Sequence, residues 1–425
     1  MVYDYEECRR NRPKVLAGEL DLPVQELWAI LYDALSSIMY VEEDEEDTYV
    51  KLKEEAVGVF GIMVRKMDLD DDEDADTFFE ALEEIMGKQI SADKILGALK
   101  EAGISFTELV YYRGEPVNIR DFLLQECFIP DLPMEMARIG ADMNKPLFKG
   151  RTPAYILAQS FSASRNEAPD ENEEALAKAA EQYFSAESME TLNSYGVSAA
   201  HEAAGRNHLL MLEAMLKKGV DVNTRDEQGN TLLHTACEGG YPGIVKLLIE
   251  AGADDTIMNM KEETPAHVAV LAVKRTYSVS SDDAAKTLRE LKNIDIPGKD
   301  GRTPLMLAQE YELRASDVLT PVLIEMGADV NRADNDGNTA LHLHTEWSCD
   351  KDVIKAMIKA GYDLNARNSD GNTALHFALE NGASEAAVYM IKKGADYNIA
   401  NEDNVTPMQI AVEEGLDDVL PFMGL

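Results

Sequence analysis

The sequence predicts a mainly α fold: a solenoid of helix pairs joined by short β-hairpins, preceded by an N-terminal helical cap. Three observations carry that prediction. A Thr or Ser anchor recurs at Thr152, Ser198, Thr231, Thr264, Thr303, Thr339, Thr373 and Thr406, spaced by 46, 33, 33, 39, 36, 34 and 33 residues. A glycine stands twelve residues ahead of most anchors, at Gly140, Gly219, Gly252, Gly327, Gly361 and Gly394. Between these marks, apolar residues recur at spacings of three and four, as in Ile244, Val245, Leu247, Leu248 and in Val353, Ile354, Met357, Ile358. That spacing gives a helix one apolar face, which a single repeat cannot bury but a stacked neighbour can.

Each element has its reason. The anchor hydroxyl suits a helix N-cap, and Pro153, Pro265, Pro304 and Pro407 follow at the first helical position, where a missing N–H costs nothing. The glycines fall where the preceding helix must reverse, a place that favours left-handed backbone. Sequences such as Gly327-Ala-Asp329-Val-Asn331 then supply the Asx residues of turns.

Around the anchors the neighbours also recur. The runs from Asp226 to Ala236, from Asn335 to His342 and from Ser369 to Ala378 share Asp-Gly-Asn-Thr-Ala-Leu-His or a close variant. They resemble the Gly-x-Thr-Pro-Leu-His-x-Ala signature of ankyrin repeats, and the resemblance covers residues 135–425. It implies that His201, His234, His267, His342 and His376, all three residues after an anchor, bond to backbone and Thr and tie the repeats together. It also implies a concave face lined by hairpin tips and first helices.

Two insertions interrupt the array, at 160–192 and at 274–283. Ahead of it, residues 91–134 read as a degenerate repeat or a helical hairpin. Residues 1–90 do not fit the repeat. Val24, Leu27, Trp28, Leu31, Leu35 and Ile38 give one amphipathic helix, Leu52 to Met63 a second and Phe78 to Met86 a third. A helical bundle capping the stack is the expectation, because terminal repeats need a polar outer cover.

Composition narrows the function. The 40 Lys and Arg against 79 Asp and Glu leave a formal charge of −39, which repels nucleic-acid phosphates and anionic lipid and favours a basic partner. No apolar run reaches the length of a membrane-spanning helix, and Met1 to Lys14 has no signal-peptide core. The four cysteines are scattered, so neither a disulfide framework nor a zinc knuckle is indicated. A cytoplasmic, monomeric protein is expected, with no cofactor, nucleic acid or membrane partner.

The sequence contains few candidates for catalysis or metal binding. Five histidines placed identically, one per repeat, follow the fold and do not cluster. His344, with His342, Glu346 and Cys349 nearby, could approach a metal, but an i, i+2 spacing splits the two rings across a helix. Asp70, Asp72, Asp74 and Asp76 alternate like early calcium-loop ligands, yet Ala75 and Ala81 stand where Gly and Glu are needed. No phosphate loop or nucleophile elbow is present. No catalytic or metal residue is therefore assigned.

The partner-binding residues implied by the resemblance are Glu227, Gln228, Asn230, Arg302, Tyr311, Asp336, Asn338, Glu346, Trp347, Asp370, Asn372, Glu380, Asp403 and Glu413. Acidic and amide side chains dominate, with Trp347 and Tyr311 as aromatic anchors. The expectation is a protein-interaction scaffold that holds a basic partner on an acidic concave face. Two alternatives stay open: an inhibitor or immunity-type protein that neutralises a basic enzyme, and an enzyme whose site lies in the N-terminal region.

Overall fold

The computed structural model describes residues 171–276, 278–309 and 315–424 continuously, 141–146 and 150–160 before them, and shorter stretches nearer the N-terminus. By packing, the chain forms two units: Met1–Ser160 with Glu174–Ser194, and Phe161–Glu173 with Tyr195–Leu425. The repeat anchored by Thr152 falls in the first unit, so the structural division lies some way after the start of the repeat pattern.

In the first unit, helix α1 (Tyr5–Leu16) is formed by the opening segment, whose polar composition gave no helical periodicity. It buries Cys8, Arg12 and Val15. Leu27 and Leu31 from the first predicted amphipathic helix and Phe60 and Met63 from the second are fully buried, as their spacing requires. The third predicted helix and the alternating Asp70, Asp72, Asp74 and Asp76 lie outside the described residues. Between 91 and 134 an antiparallel pair forms, β1 (Leu109–Tyr112) with β2 (Glu115–Asn118), in which Val110 faces Val117. Helices α2 (Leu132–Arg138), α3 (Pro153–Ser160) and α5 (Ala186–Glu190) also belong here, while α4 (Glu171–Tyr183) accounts for part of the 160–192 insertion.

The second unit is a run of helix pairs: α6 (Ala199–Gly205) with α7 (Leu209–Lys217), α8 (Leu232–Gly239) with α9 (Pro242–Glu250), and α10 (Pro265–Arg275) with α11 (Ser281–Arg289). The series continues with α12 (Pro304–Leu307) and α13 (Ser316–Glu325), α14 (Ala340–Trp347) and α15 (Lys351–Lys359), α16 (Ala374–Glu380) and α17 (Ser384–Lys392), and α18 (Pro407–Glu413). Every first helix from Ser198 onward starts directly after its anchor, which is extended; the Ser198, Thr303 and Thr406 hydroxyls each accept the N–H three residues on, at 3.3 Å. On the second helices Ile244, Val245 and Leu248, and likewise Val353, Ile354 and Met357, are buried. Leu247 and Ile358 are only half-buried, at the margin of the apolar face. The hairpins are brief, appearing as bridges between Arg225 and Thr231 and between Ala333 and Thr339.

Candidate functional site

At five of the tips one side chain builds the hairpin turn. Five residues before the anchor, the Oδ1 of Asp226, Asn259, Asp334, Asn368 or Asn401 accepts two backbone N–H bonds from its own turn, as Asp334 does from Asp336 at 3.0 Å and Asn338 at 2.8 Å. Such an Asx turn fixes the loop without relying on neighbours. A tip glycine then permits close stacking. A Cβ on Gly371, whose φ is +77°, would lie 3.0 Å from both Asn401 Cα and Glu402 N.

Stacked tips are joined by backbone. Met260 donates to the Gln228 carbonyl, Asn335 to Asp300, Ser369 to Asp336 and Glu402 to Asp370, all between 2.8 and 3.0 Å. A second ladder runs through amide side chains: Asn259 Nδ2 donates to Asn230 Oδ1, Asn368 to Asn338 and Asn401 to Asn372, at 2.8–2.9 Å. Asn230, Asn338 and Asn372, expected from sequence to meet a partner, are thus half-buried and bonded within the array. Their recurrence needs no ligand to explain it.

The third tie is histidine. In four of the five repeats that carry one, the anchor N–H donates to the ring Nδ1, for example Thr339 to His342 at 3.2 Å. An Nδ1 that accepts carries no proton, so Nε2 must be the N–H. That nitrogen donates across the junction: His201 to the Asn230 carbonyl, His234 to Glu263, His267 to Arg302, His342 to Asn372 and His376 to Val405, at 2.9–3.2 Å. Burial opposes a charge on these rings. It pushes His234 and His342 down to about 4 and lowers His201, His267 and His376. His344 is separate, buried and donating Nε2 to the Asp350 carbonyl at 3.2 Å. His342 and His344 thus serve different carbonyls, and the described residues contain no group of three His, Cys, Asp or Glu side chains placed to hold a metal ion.

With the scaffold assigned, the tips and first-helix ends leave a smaller set exposed. Glu227, Gln228, Asp336, Asp370, Glu380, Asp403 and Glu413 are exposed, and Arg302 and Glu346 are half-buried. The backbone ladder sets Asp336, Asp370 and the Asp403 turn side by side. Trp347, at the end of α14, is 56% exposed. Asn381 donates to the Thr345 and Glu346 carbonyls at 2.9 and 2.8 Å, which fastens the end of α14 to the next repeat. Although Glu380 as a whole is exposed, partial desolvation of its carboxyl, and then the nearby Glu414 charge, raise that carboxyl above its ordinary value. Arg302 Nε lies 3.7 Å from Asp334, a contact inside the array. Tyr311 lies outside the described residues.

Sequence reasoning missed a cleft of about 590 Å³ between the tips of the repeats anchored by Thr264 and Thr303, beside Met260, Leu271 and Leu307. Two signals were present: Gly298 replaces the Asx of the Thr303 tip, and Glu262 replaces the glycine of the Thr264 tip.

Comparison with known proteins agrees with this geometry. The family model for ankyrin repeats matches residues 135–259, 200–276, 270–367 and 344–423. Protein phosphatase 1 regulatory subunit 27 of Mus musculus is 39% identical over 79 residues, 19% of this chain and 51% of the relative. A putative ankyrin repeat protein, FPV244, of fowlpox virus is 32% identical over 142 residues, 33% of this chain and 19% of the relative. The chain thus spans about half the length of the phosphatase subunit and far less of the viral protein. Among solved structures, the ankyrin repeat domain of Bcl-3 is 24% identical with a TM-score of 0.46, covering 53% of this chain and 99% of that one.

Proposed function

The chain belongs to the ankyrin-repeat family, whose repeats imply protein–protein interaction, and we propose that it binds a basic partner protein along the edge formed by the tips and first helices from Thr303 to Thr406. The observation that carries this reading is the ladder that holds Asp336, Asp370 and Asp403 in register, with exposed Trp347 on the neighbouring helix end. Carboxylates fixed on a rigid edge cost little to order when a ligand arrives, and they steer an oppositely charged surface toward it. Glu380 adds to this, because a cation placed beside Glu380 and Glu414 would relieve their mutual repulsion. An exposed Trp supplies the apolar contact that charge alone lacks.

The relative named as a phosphatase regulatory subunit supports a role in holding another protein, and nothing in the proposed mechanism uses a catalytic group. A cytoplasmic location fits the four scattered cysteines, which form no Cys-x-x-Cys pair. The test is capture of partners from native lysate, followed by titration of the captured protein against the chain at increasing salt. Affinity should fall steeply with salt and fall again in the Asp336→Lys, Asp370→Lys double variant. A partner whose affinity ignores both would place the binding face elsewhere.

A further inference from the structure

The cleft beside Met260 differs from every other junction for which the tips are described, and its cause can be traced to one residue. At the Thr303 tip the position that elsewhere holds Asp or Asn is Gly298. A larger residue is excluded there: a Cβ would lie 2.5 Å from the Glu262 carbonyl and 2.8 Å from His267 Nε2. Without an Asx side chain, the turn closes on itself instead. Arg302 N–H donates to the Lys299 carbonyl at 3.1 Å, and residues Lys299–Gly301 become a single 3-10 turn with Asp300 at φ +57°. On the facing tip, Glu262 sits at φ +60°, a left-handed conformation that its counterparts fill with Gly or Asn.

The consequence is a break in the tip ladder. By the register of the other junctions, Lys299 N–H should donate to the Lys261 carbonyl. Among the described residues, no backbone hydrogen bond joins these two tips. The gap is the 590 Å³ cleft, with Met260, Leu271 and Leu307 on its walls. Met260 is 76% exposed, the highest value among the large apolar residues described. The charged lining is balanced: Lys261, Lys299 and Arg302 against Glu262, Glu263 and Asp300. In a chain of net charge −39, this is a place that does not select for a basic ligand.

We propose that this cleft is a docking slot for an extended, uncharged segment of a partner protein, one peptide unit of which bridges the two tips. A peptide unit carries one N–H and one C=O, the complement of the Lys261 carbonyl and the Lys299 N–H that the missing bond leaves without a partner on the facing tip. Its neighbouring apolar side chain settles against Met260, Leu271 and Leu307. This is strand addition on the scale of one turn, with backbone bonds for affinity and an apolar wall for selection. The slot shares the Thr303 tip with that edge but uses none of Asp336, Asp370 or Trp347.

The experiment selects random linear peptides, displayed on phage, against the full chain, and then measures the enriched peptides in solution. Enriched peptides should be uncharged around an apolar residue, and their binding should slow amide exchange at Lys299 by tenfold or more. Met260→Asp, at an exposed position that leaves packing intact, should weaken binding about tenfold, and Leu271→Arg should do the same. Asp336→Lys with Asp370→Lys should leave it unchanged. Failure to enrich any peptide overturns the proposal, as do peptides that bind Met260→Asp as well as the parent or leave Lys299 exchange unaltered. Loss of binding in the Asp336, Asp370 variant alone would move the segment to the acidic edge, and would overturn the slot without touching the reading of that edge.

Discussion

The repeats anchored by Thr339, Thr373 and Thr406 and the repeat anchored by Thr303 obey one pattern and enforce it differently. In the first block each junction has three ties: the histidine Nε2 bond, the tip backbone bond and the amide ladder. The Thr303 repeat lacks ties on both sides. Toward Thr264 its tip bond is missing because of Gly298, and toward Thr339 its histidine position holds Met306, whose sulfur takes the Thr303 N–H at 3.4 Å but has no proton to pass on. In a repeat array, stability is roughly a sum of repeat and junction terms, so local omissions have local effects. The tied block presents a fixed acidic edge; the Thr303 repeat presents an opening.

Acid should break this comparison most strongly. The tied histidines must stay neutral in the folded chain, with affinities for protons lowered by burial, whereas the unfolded chain takes up protons near the ordinary value of about 6.5. Their stabilisation is therefore complete above pH 6.5 and is lost as pH falls from there toward about 4, the value for His234 and His342. For each of those two, the shift corresponds to a loss on the order of 3 kcal/mol between neutral pH and pH below 4. Denaturant titrations across this window should show the decline, and His342→Gln, patterned on Gln409 in the last repeat, should remove one share of it. The Met306 junction has no such group to protonate. An unchanged midpoint between pH 7 and 4.5 would refute the assignment of neutral, tying histidines.

Backbone substitution gives the next largest effect. Gly371→Val combines positive φ with a collision against the Asn401–Glu402 backbone, and should cost about 3 kcal/mol. Gly361→Val, at φ +94° but with nothing within 4 Å, should cost about half of that. Equal midpoints for the two in urea would show that the tips do not stack as closely as described. The smallest effect is a gain. Met306→His should supply the missing Nε2 bond to the Asn338 carbonyl and raise stability by about 1 kcal/mol. A loss instead would mean that the Thr303 repeat is packed too differently to accept the tie.

What was legible in the sequence follows the same division. Thr, Gly and Pro at fixed spacings act through short-range bonds, so the anchors and helix starts could be read directly, while the histidine role came from the resemblance to ankyrin repeats. The amide ladder could not: Asn230, Asn338 and Asn372 recur on tips, and recurrence alone does not distinguish a partner contact from a neighbour contact. The cleft was hidden for the opposite reason. Gly298 and Glu262 depart from the pattern, and a departure shows its meaning only once the facing tip is in place. Helix α1 lacked an apolar stripe to announce it, since Arg12 is among the residues it buries.

The most direct test of the proposed function is a kinetic one on a captured partner. Asp336→Lys with Asp370→Lys should slow association and flatten its salt dependence, because those carboxylates act at a distance. Trp347→Ala should leave association nearly unchanged and speed dissociation, costing about 2 kcal/mol, the loss of a buried anchor. Association and dissociation rates that are the same in both variants as in the parent chain would contradict the account.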